Sequence, residues 1–121
     1  MGASLVVGSR PMLPDHRKAE QRSLRYHAAI ADRLIADPSI VIRARHRVER
    51  WLEDGSVARY YADGWRVRLA DPIDDLRAFL IEPSETARAF RQVSPFAGVL
   101  SAKERWALWA ATESDDDATA A

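Results

Sequence analysis

Three histidines and a few nearby carboxylates are the residues of this chain that could perform catalysis or bind a metal. The histidines are His16, His27 and His46, and no two of them lie three or four residues apart. Glu49, three residues after His46, would give a helical site only two ligands, whereas zinc sites use three or four. We therefore expect no metal site and no metal cofactor.

Motifs for phosphate binding and for nucleophilic catalysis are missing from the sequence. It contains neither a glycine-rich phosphate loop nor a nucleophile elbow, and it has no cysteine. The pair Asp74 and Asp75, or Glu82 and Glu85, could act as general acid and base, but stabilisation of a helix start explains them more simply. The sequence predicts no enzyme, no cofactor and no small-molecule substrate.

The sharpest charged pattern is a row of three arginines, Arg43, Arg47 and Arg50, at the spacing of one helix face. Guanidinium groups bind carboxylates and phosphates through paired hydrogen bonds, so this row could contact a protein or nucleic acid. A solvated helix face also explains the pattern adequately. Because 18 basic residues balance 18 acidic ones, no net field draws the chain to nucleic acid, and a protein partner is favoured.

Amphipathic helices must position these residues. Apolar side chains recur with helical spacing over 17–36 and after the predicted helix starts at Asp37, Ser56, Asp71, Ser84 and Ser101. Gly55 is predicted to end the second helix, and Ser101 with Glu104 forms a capping box. The predicted inward residues are Leu24, Ala28, Ala31, Leu34 and Ile35 in the first helix and Ile73, Leu76 and Leu80 in the fourth. Gly64, in the third helix, is predicted to be a weak point that costs about 1 kcal/mol relative to alanine.

These helices predict one all-α domain, a compact bundle of five to six short helices over residues 17–112. Residues 1–16 are predicted to form a flexible leader, in which Met12 is an alternative start to Met1, and 113–121 a disordered acidic tail. No apolar run approaches the ~20 residues of a membrane helix, and no signal peptide is recognisable. Since the chain also lacks cysteine, we expect a cytoplasmic location.

The segment from Arg88 to Trp109 carries a second pattern. Its phrase Ser94-Pro-Phe-Ala-Gly-Val-Leu-Ser101 is followed by Glu104-Arg105-Trp106, and an earlier phrase reads Ser23-Leu-Arg-Tyr-His-Ala-Ala-Ile-Ala-Asp-Arg-Leu. Together they resemble small helical bacterial proteins encoded beside toxin genes, over roughly residues 22–110. The resemblance implies an antitoxin whose partner is a cognate toxin that uses a nucleoside triphosphate, of nucleotidyltransferase or kinase type.

An antitoxin of this kind is implied to dock on the toxin and cover its active-site cleft, so it has no catalytic residues of its own. The candidate contacts are the charged row Arg43, Arg47 and Arg50 and a second set, Phe96, Leu100, Arg105, Trp106 and Trp109. Phe96 and Leu100 have the alternative role of sealing the end of the bundle. The alternative function is a DNA-binding transcriptional regulator that uses the basic second helix.

Overall fold

Six helices make up the computed structural model, which describes residues 14–110, with side chains from residue 17. They are α1 (Pro14–Ala36), α2 (Ser39–Asp54), α3 (Arg59–Leu69), α4 (Ile73–Leu80), α5 (Glu85–Gln92) and α6 (102–110). No strand occurs within the described range, so the predicted all-α bundle is confirmed.

The first helix begins earlier than predicted. Residues 14–16 belong to α1 rather than to the leader, because the fixed backbone angle of Pro14 suits the first turn of a helix. The rest of the predicted leader, with Met1 and Met12, lies outside the described residues. The predicted acidic tail lies outside them as well.

The helices pack as two groups that share one core. α1 lies against α4 and α5, which also touch each other, while α2 and α3 form a helical hairpin. Trp65 of α3 lies at the centre with no exposed surface, and its indole ring meets the rings of Phe79, Phe90 and Phe96 edge to face, with centroids 5.7–5.8 Å apart. Such aromatic contacts stabilise beyond the burial of area alone.

Local signals placed several helix ends correctly. Gly55 adopts a left-handed conformation with φ of 69° and closes α2. Ser84 caps α5 by accepting the amide hydrogen of Ala87 at 3.1 Å. The predicted capping box is formed, since the Ser101 amide donates to Glu104 at 2.8 Å and the Glu104 amide donates to the Ser101 hydroxyl at 3.1 Å.

The predicted start of the third helix was wrong. Ser56 does not cap α3; its amide donates to the Asp54 carboxylate at 2.9 Å, and the helix begins three residues later, at Arg59. The Asp54 side chain thus holds Ser56 in the turn that leaves α2, where aspartate often binds a nearby amide.

The inward faces of two helices also differ from the prediction. Leu24 and Ile35 of α1 are 39% and 67% exposed, and Ile73 of α4 is 38% exposed. Ala31 and Leu34 of α1, and Leu76 and Leu80 of α4, are buried as predicted. His27 and Ile30 complete the buried stripe of α1. This stripe follows the spacing i, i+3, i+4 and i+7, which is the face that α1 turns to α4 and α5.

Gly64 is a point of close approach rather than a weak point. A Cβ atom placed on Gly64 would lie 2.3 Å from Cε2 of Phe90, so any side chain here collides with the buried ring. Glycine is therefore required for α3 to pack this closely against α5.

Within residues 14–110, the helices are all too short or too polar to span a lipid bilayer.

Candidate partner-binding surface

Two of the predicted contact residues lie inside the bundle. Phe96 is fully buried and Leu100 is 4% exposed, and both belong to the main core. A partner could reach them only if the 94–101 loop opened. Their expected role as surface anchors is therefore corrected in favour of the alternative, that they seal the end of the bundle.

The arginine row of α2 lies on the surface. Arg43 and Arg50 are exposed, Arg47 is partly buried, and together they line a shallow depression on the side of α2 away from the core. Glu49 and Glu53 line the same depression, and Arg43 lies 3.8 Å from the carboxylate of Asp37. The positive charge of the row is thus partly offset by acidic neighbours.

Arg45 is turned away from the row and has a structural role. Its guanidinium donates two hydrogen bonds, of 2.8 and 3.3 Å, to the carbonyl of Leu69 at the end of α3. Since a carbonyl at a helix C-terminus carries partial negative charge, this contact joins the α2–α3 hairpin.

A second surface is built by α6 and the first half of α1. Trp106 is 67% exposed, and its ring meets the ring of Trp109 edge to face at 5.5 Å. The guanidinium groups of Arg22 and Arg105 lie 5.3 and 6.0 Å from the Trp109 ring centre. We call these four residues, Arg22, Arg105, Trp106 and Trp109, the tryptophan–arginine surface. Exposed tryptophan beside arginine is the composition typical of binding hot spots.

The position of α6 depends on contacts that α1 makes with Phe96 and Glu104. Glu104 forms an ion pair with Arg33 of α1. The Tyr26 hydroxyl donates to the carbonyl of Phe96 at 2.6 Å, across 70 residues of sequence. The hydrogen bond holds the 94–101 loop on α1, the ion pair holds the first turn of α6 there, and the capping box starts α6 directly after the loop.

His27 and Ser94 form a second polar contact between α1 and the 94–101 loop. His27 is 3% exposed, and its Nδ1 lies 2.7 Å from the carbonyl of Ser23, which can only accept a hydrogen bond. Nδ1 therefore carries the proton, and Nε2 accepts a hydrogen bond from the Ser94 hydroxyl at 2.8 Å. The neutral imidazole thus ties the loop to α1.

The pKa of His27 is lowered from 6.5 to about 4, chiefly by burial and to a smaller extent by the charge of Arg91, while the hydrogen bond to the Ser23 carbonyl opposes the shift. A hydroxyl beside an imidazole resembles a nucleophile with its general base. An imidazole with this pKa is a weak base at neutral pH, and Nδ1 is held by a carbonyl rather than a carboxylate. The pair therefore fits a tether better than a catalytic dyad.

A cavity of about 370 Å³ opens beside this tether, between α1, the 94–101 loop and α6. We call it the α1–α6 pocket. Its lining residues are Ala19, Arg22, Ser23, Tyr26, His27, Ser94, Ala97, Gly98, Arg105 and Trp109. The Nε atom of Arg105 is buried and makes no hydrogen bond.

Several residues of this region were not predicted as functional. Tyr26, His27 and Ser94 lie within the two phrases that carry the resemblance, and Arg22 directly precedes the first phrase. The hydrogen bonds of Tyr26 and His27 join positions 67 to 70 residues apart. The one available signal was the place of His27 on the same helical face as Ile30, Ala31 and Leu34. In the part of the chain that the structure describes, no three histidines or carboxylates come together in a way that could hold a metal.

We expect the stability of the bundle to depend on pH through His27. Its pKa is lower in the folded state, so the unfolded chain binds the proton first as pH falls. The free energy of unfolding should be fully maintained above pH 6.5 and should decrease by up to about 3 kcal/mol as pH falls to 4. Urea unfolding at pH 7.5, 6, 5 and 4.5 measures this dependence.

The variant His27→Gln isolates this contribution from that of the carboxylates. It should be less stable than the original chain at pH 7.5 and should lose less stability than the original chain between pH 6.5 and 4.5. His46→Gln changes an exposed histidine of α2 and is the matched control. Equal pH dependence in the His27→Gln variant and the original chain would contradict this account.

Comparison with known proteins found no relative of this chain. No protein-family model matches the chain, and neither the curated proteins nor the solved structures contain a match.

Proposed function

We propose that this chain is an antitoxin, a non-catalytic binding protein that neutralises a cognate toxin. The observation that carries the proposal is the tryptophan–arginine surface, which displays a 67% exposed tryptophan on α6. A large apolar side chain exposed beside arginines is typical of a binding site for a protein. The resemblance of the 94–106 phrase to antitoxins involves the same segment, because that phrase forms the loop and the first turns of α6.

The partner that fits the resemblance is a toxin that uses a nucleoside triphosphate, of nucleotidyltransferase or kinase type. The bundle would dock as a preformed body and cover the active-site cleft, with an interface of ordinary size, ~1,600 Å² in total. Trp106 and Trp109 would supply the apolar contact and Arg105 a charge-assisted hydrogen bond. Of the predicted anchors, these three and the α2 row are accessible at the surface.

The experiment is co-expression with the open reading frame adjacent to this gene in its native host. We expect the neighbouring product alone to arrest growth, and this chain to restore growth and copurify with it. Trp106→Ala should weaken the complex about tenfold or more, as expected for a hot-spot residue. Val67→Ala is the control, since Val67 is a 59% exposed apolar residue on α3, outside this surface.

Failure to restore growth while the two proteins form an intact complex would contradict neutralisation. A neighbouring product that leaves growth unaffected would contradict the toxin–antitoxin assignment itself. If Trp106→Ala and Val67→Ala weakened the complex equally, the tryptophan–arginine surface would not be the contact.

The alternative function is a DNA-binding regulator, and the exposed arginine row of α2 is the observation that favours it. Three guanidinium groups on one ridge could contact successive phosphates. The neighbouring Glu49 and Glu53 and the balanced charge of the chain count against it. We therefore rank it second.

The salt dependence of the binding constant distinguishes a toxin-binding from a DNA-binding role of the arginine row. Charge reversal of Arg43, Arg47 and Arg50 to Glu is expected to weaken toxin binding by roughly 1–3 kcal/mol through lost charge-assisted hydrogen bonds. Helicity should be unchanged, because these side chains lie outside the core. If the row bound duplex DNA, three phosphate contacts would make log K fall against log salt with a slope of about −2.7. Neutralisation that survives the triple change, together with loss of a steeply salt-dependent promoter affinity, would favour the DNA-binding function.

A further inference from the structure

The α1–α6 pocket combines an apolar wall with positive charge gathered around one indole ring. Tyr26, Trp109 and two alanines supply the apolar surface, and the guanidinium groups of Arg22 and Arg105 lie within 6.0 Å of the Trp109 ring centre. Its volume of about 370 Å³ falls in the range of sites for small ligands. Sites of this kind use an apolar lining for affinity and a few polar groups for orientation.

Arg105 is the residue whose state indicates what the pocket binds. Elsewhere on α1 and α5, Arg33 and Arg88 lie within ion-pair distance of Glu104 and Glu20. Arg105 instead rests on Trp109, its buried Nε makes no hydrogen bond, and among the described residues no carboxylate forms an ion pair with it. A buried donor without an acceptor lowers stability, and an oxyanion in the pocket would supply the acceptor.

The pocket is also open where a ligand body would lie. Gly98 lines it without a side chain, and a Cβ atom placed on Gly98 would meet no other atom within 4 Å. The Ser94 hydroxyl and the Tyr26 hydroxyl donate their hydrogens to His27 and Phe96, so they present oxygen atoms rather than free donors. Among these described groups, the donor that remains available to a ligand is therefore the Nε of Arg105.

We propose that the α1–α6 pocket binds a small amphiphilic anion, a ring system that carries one carboxylate or phosphate group. The oxyanion accepts hydrogen bonds from the Arg105 guanidinium beside Arg22, and the ring packs against Tyr26 and Trp109. Carboxylate and phosphate share the paired geometry that guanidinium recognises, so the chemistry is common to both. The ligand is bound and not transformed. The site shares Arg105 and Trp109 with the proposed toxin contact but does not require the antitoxin proposal.

Binding is tested on the full chain with four probes that separate the parts of such a ligand. They are 2-naphthoate, 2-naphthyl phosphate, the neutral 2-naphthamide and inorganic phosphate. Binding of each probe is measured by calorimetry and by the NMR signal of the Trp109 indole N–H. At least one of the two naphthyl anions is expected to bind and to shift that signal. The amide and inorganic phosphate should each bind at least about tenfold more weakly than the better naphthyl anion, because the amide lacks the charge and inorganic phosphate lacks the ring. The stronger of the two naphthyl anions identifies the head group.

Substitutions at Arg105 connect the binding to the pocket. Arg105→Gln should weaken the better anion about tenfold or more, and Arg105→Lys should have a smaller effect because the charge is retained. Arg59→Gln removes an exposed arginine of α3, outside both candidate surfaces, and should leave binding unchanged. Circular dichroism verifies that the variants fold, and the comparison of naphthoate with naphthamide needs no variant.

Three outcomes would overturn the proposal. The first is no binding of either naphthyl anion at roughly 10 mM, far above the range of useful affinity. The second is equal binding of the anions and the amide, or anion binding that is unchanged in Arg105→Gln. The third is binding that appears only after residues 111–121 are deleted, since the pocket would then belong to the chain's own acidic segment.

Discussion

Replacement of Gly64 by alanine is expected to destabilise the bundle by about 2 kcal/mol, although alanine is the better helix former. Alanine gains about 1 kcal/mol from helix propensity. Its Cβ atom, however, would lie 2.3 and 2.4 Å from two ring atoms of Phe90, far inside van der Waals contact. Overpacking of a core commonly costs 1–3 kcal/mol, and a collision this close belongs at the upper end or beyond.

The ring of Phe90 has little room to move away. It is 6% exposed and is surrounded by the rings of Tyr60, Tyr61, Trp65 and Phe79, with centroid distances of 5.1–5.7 Å. Relief of the collision therefore requires α3 and α5 to separate, which would also disturb Trp65.

Urea unfolding of Gly64→Ala, Phe90→Leu and the double variant measures the effect. Because the smaller leucine removes the colliding ring atoms, Gly64→Ala should cost less in the Phe90→Leu background, and the difference is the coupling between the two sites. An increase in stability from Gly64→Ala alone would show that the two helices can separate at little cost.

Truncation of Trp65 is expected to have the largest effect of any single substitution considered. Trp65→Ala should lower the free energy of unfolding by about 3–5 kcal/mol, because a fully buried aromatic side chain is replaced by a cavity. Domains of this size have total stabilities of about 5–15 kcal/mol, so the variant would retain a small margin.

Trp65→Phe separates the hydrogen bonds from the packing. The Trp65 indole donates to the carbonyl of Val93 at 2.6 Å and to that of Phe90 at 3.2 Å. Phenylalanine leaves the Val93 carbonyl without this donor, which should cost about 1–3 kcal/mol. Trp106→Phe is the control and should change stability by about 0.5 kcal/mol or less, since Trp106 is exposed. Equal effects of Trp65→Phe and Trp106→Phe would contradict the central position of Trp65.

The features that the sequence predicted correctly depend on contacts between near neighbours. The capping box joins residues three apart, Ser84 caps an amide three residues later, and Gly55 ends a helix through its own backbone conformation. The helical class follows from many such signals, each readable in a short window.

The features that the sequence left open depend on contacts between distant segments. Periodicity identified α1 as amphipathic and placed Ala31 and Leu34 inside. It did not determine where the edges of the buried face lie, because Leu24 and Ile35 are as apolar as the buried Ile30. The collision partner of Gly64 lies on another helix, and so does the hydroxyl partner of His27. Phe96 and Leu100 likewise have the composition of anchors, and only the packing of the 94–101 loop places them inside.

The order of the helices also bears on how the chain folds. α1 pairs with α4, while α2 and α3, which lie between them in sequence, pair with each other. A helical hairpin closes a short loop, so its entropy cost is small and it can form early. Once formed, the hairpin shortens the effective length of chain that separates α1 from α4. The contacts between α1 and the 94–101 loop join the most distant residues, so they can form last, when the helices between them are already packed.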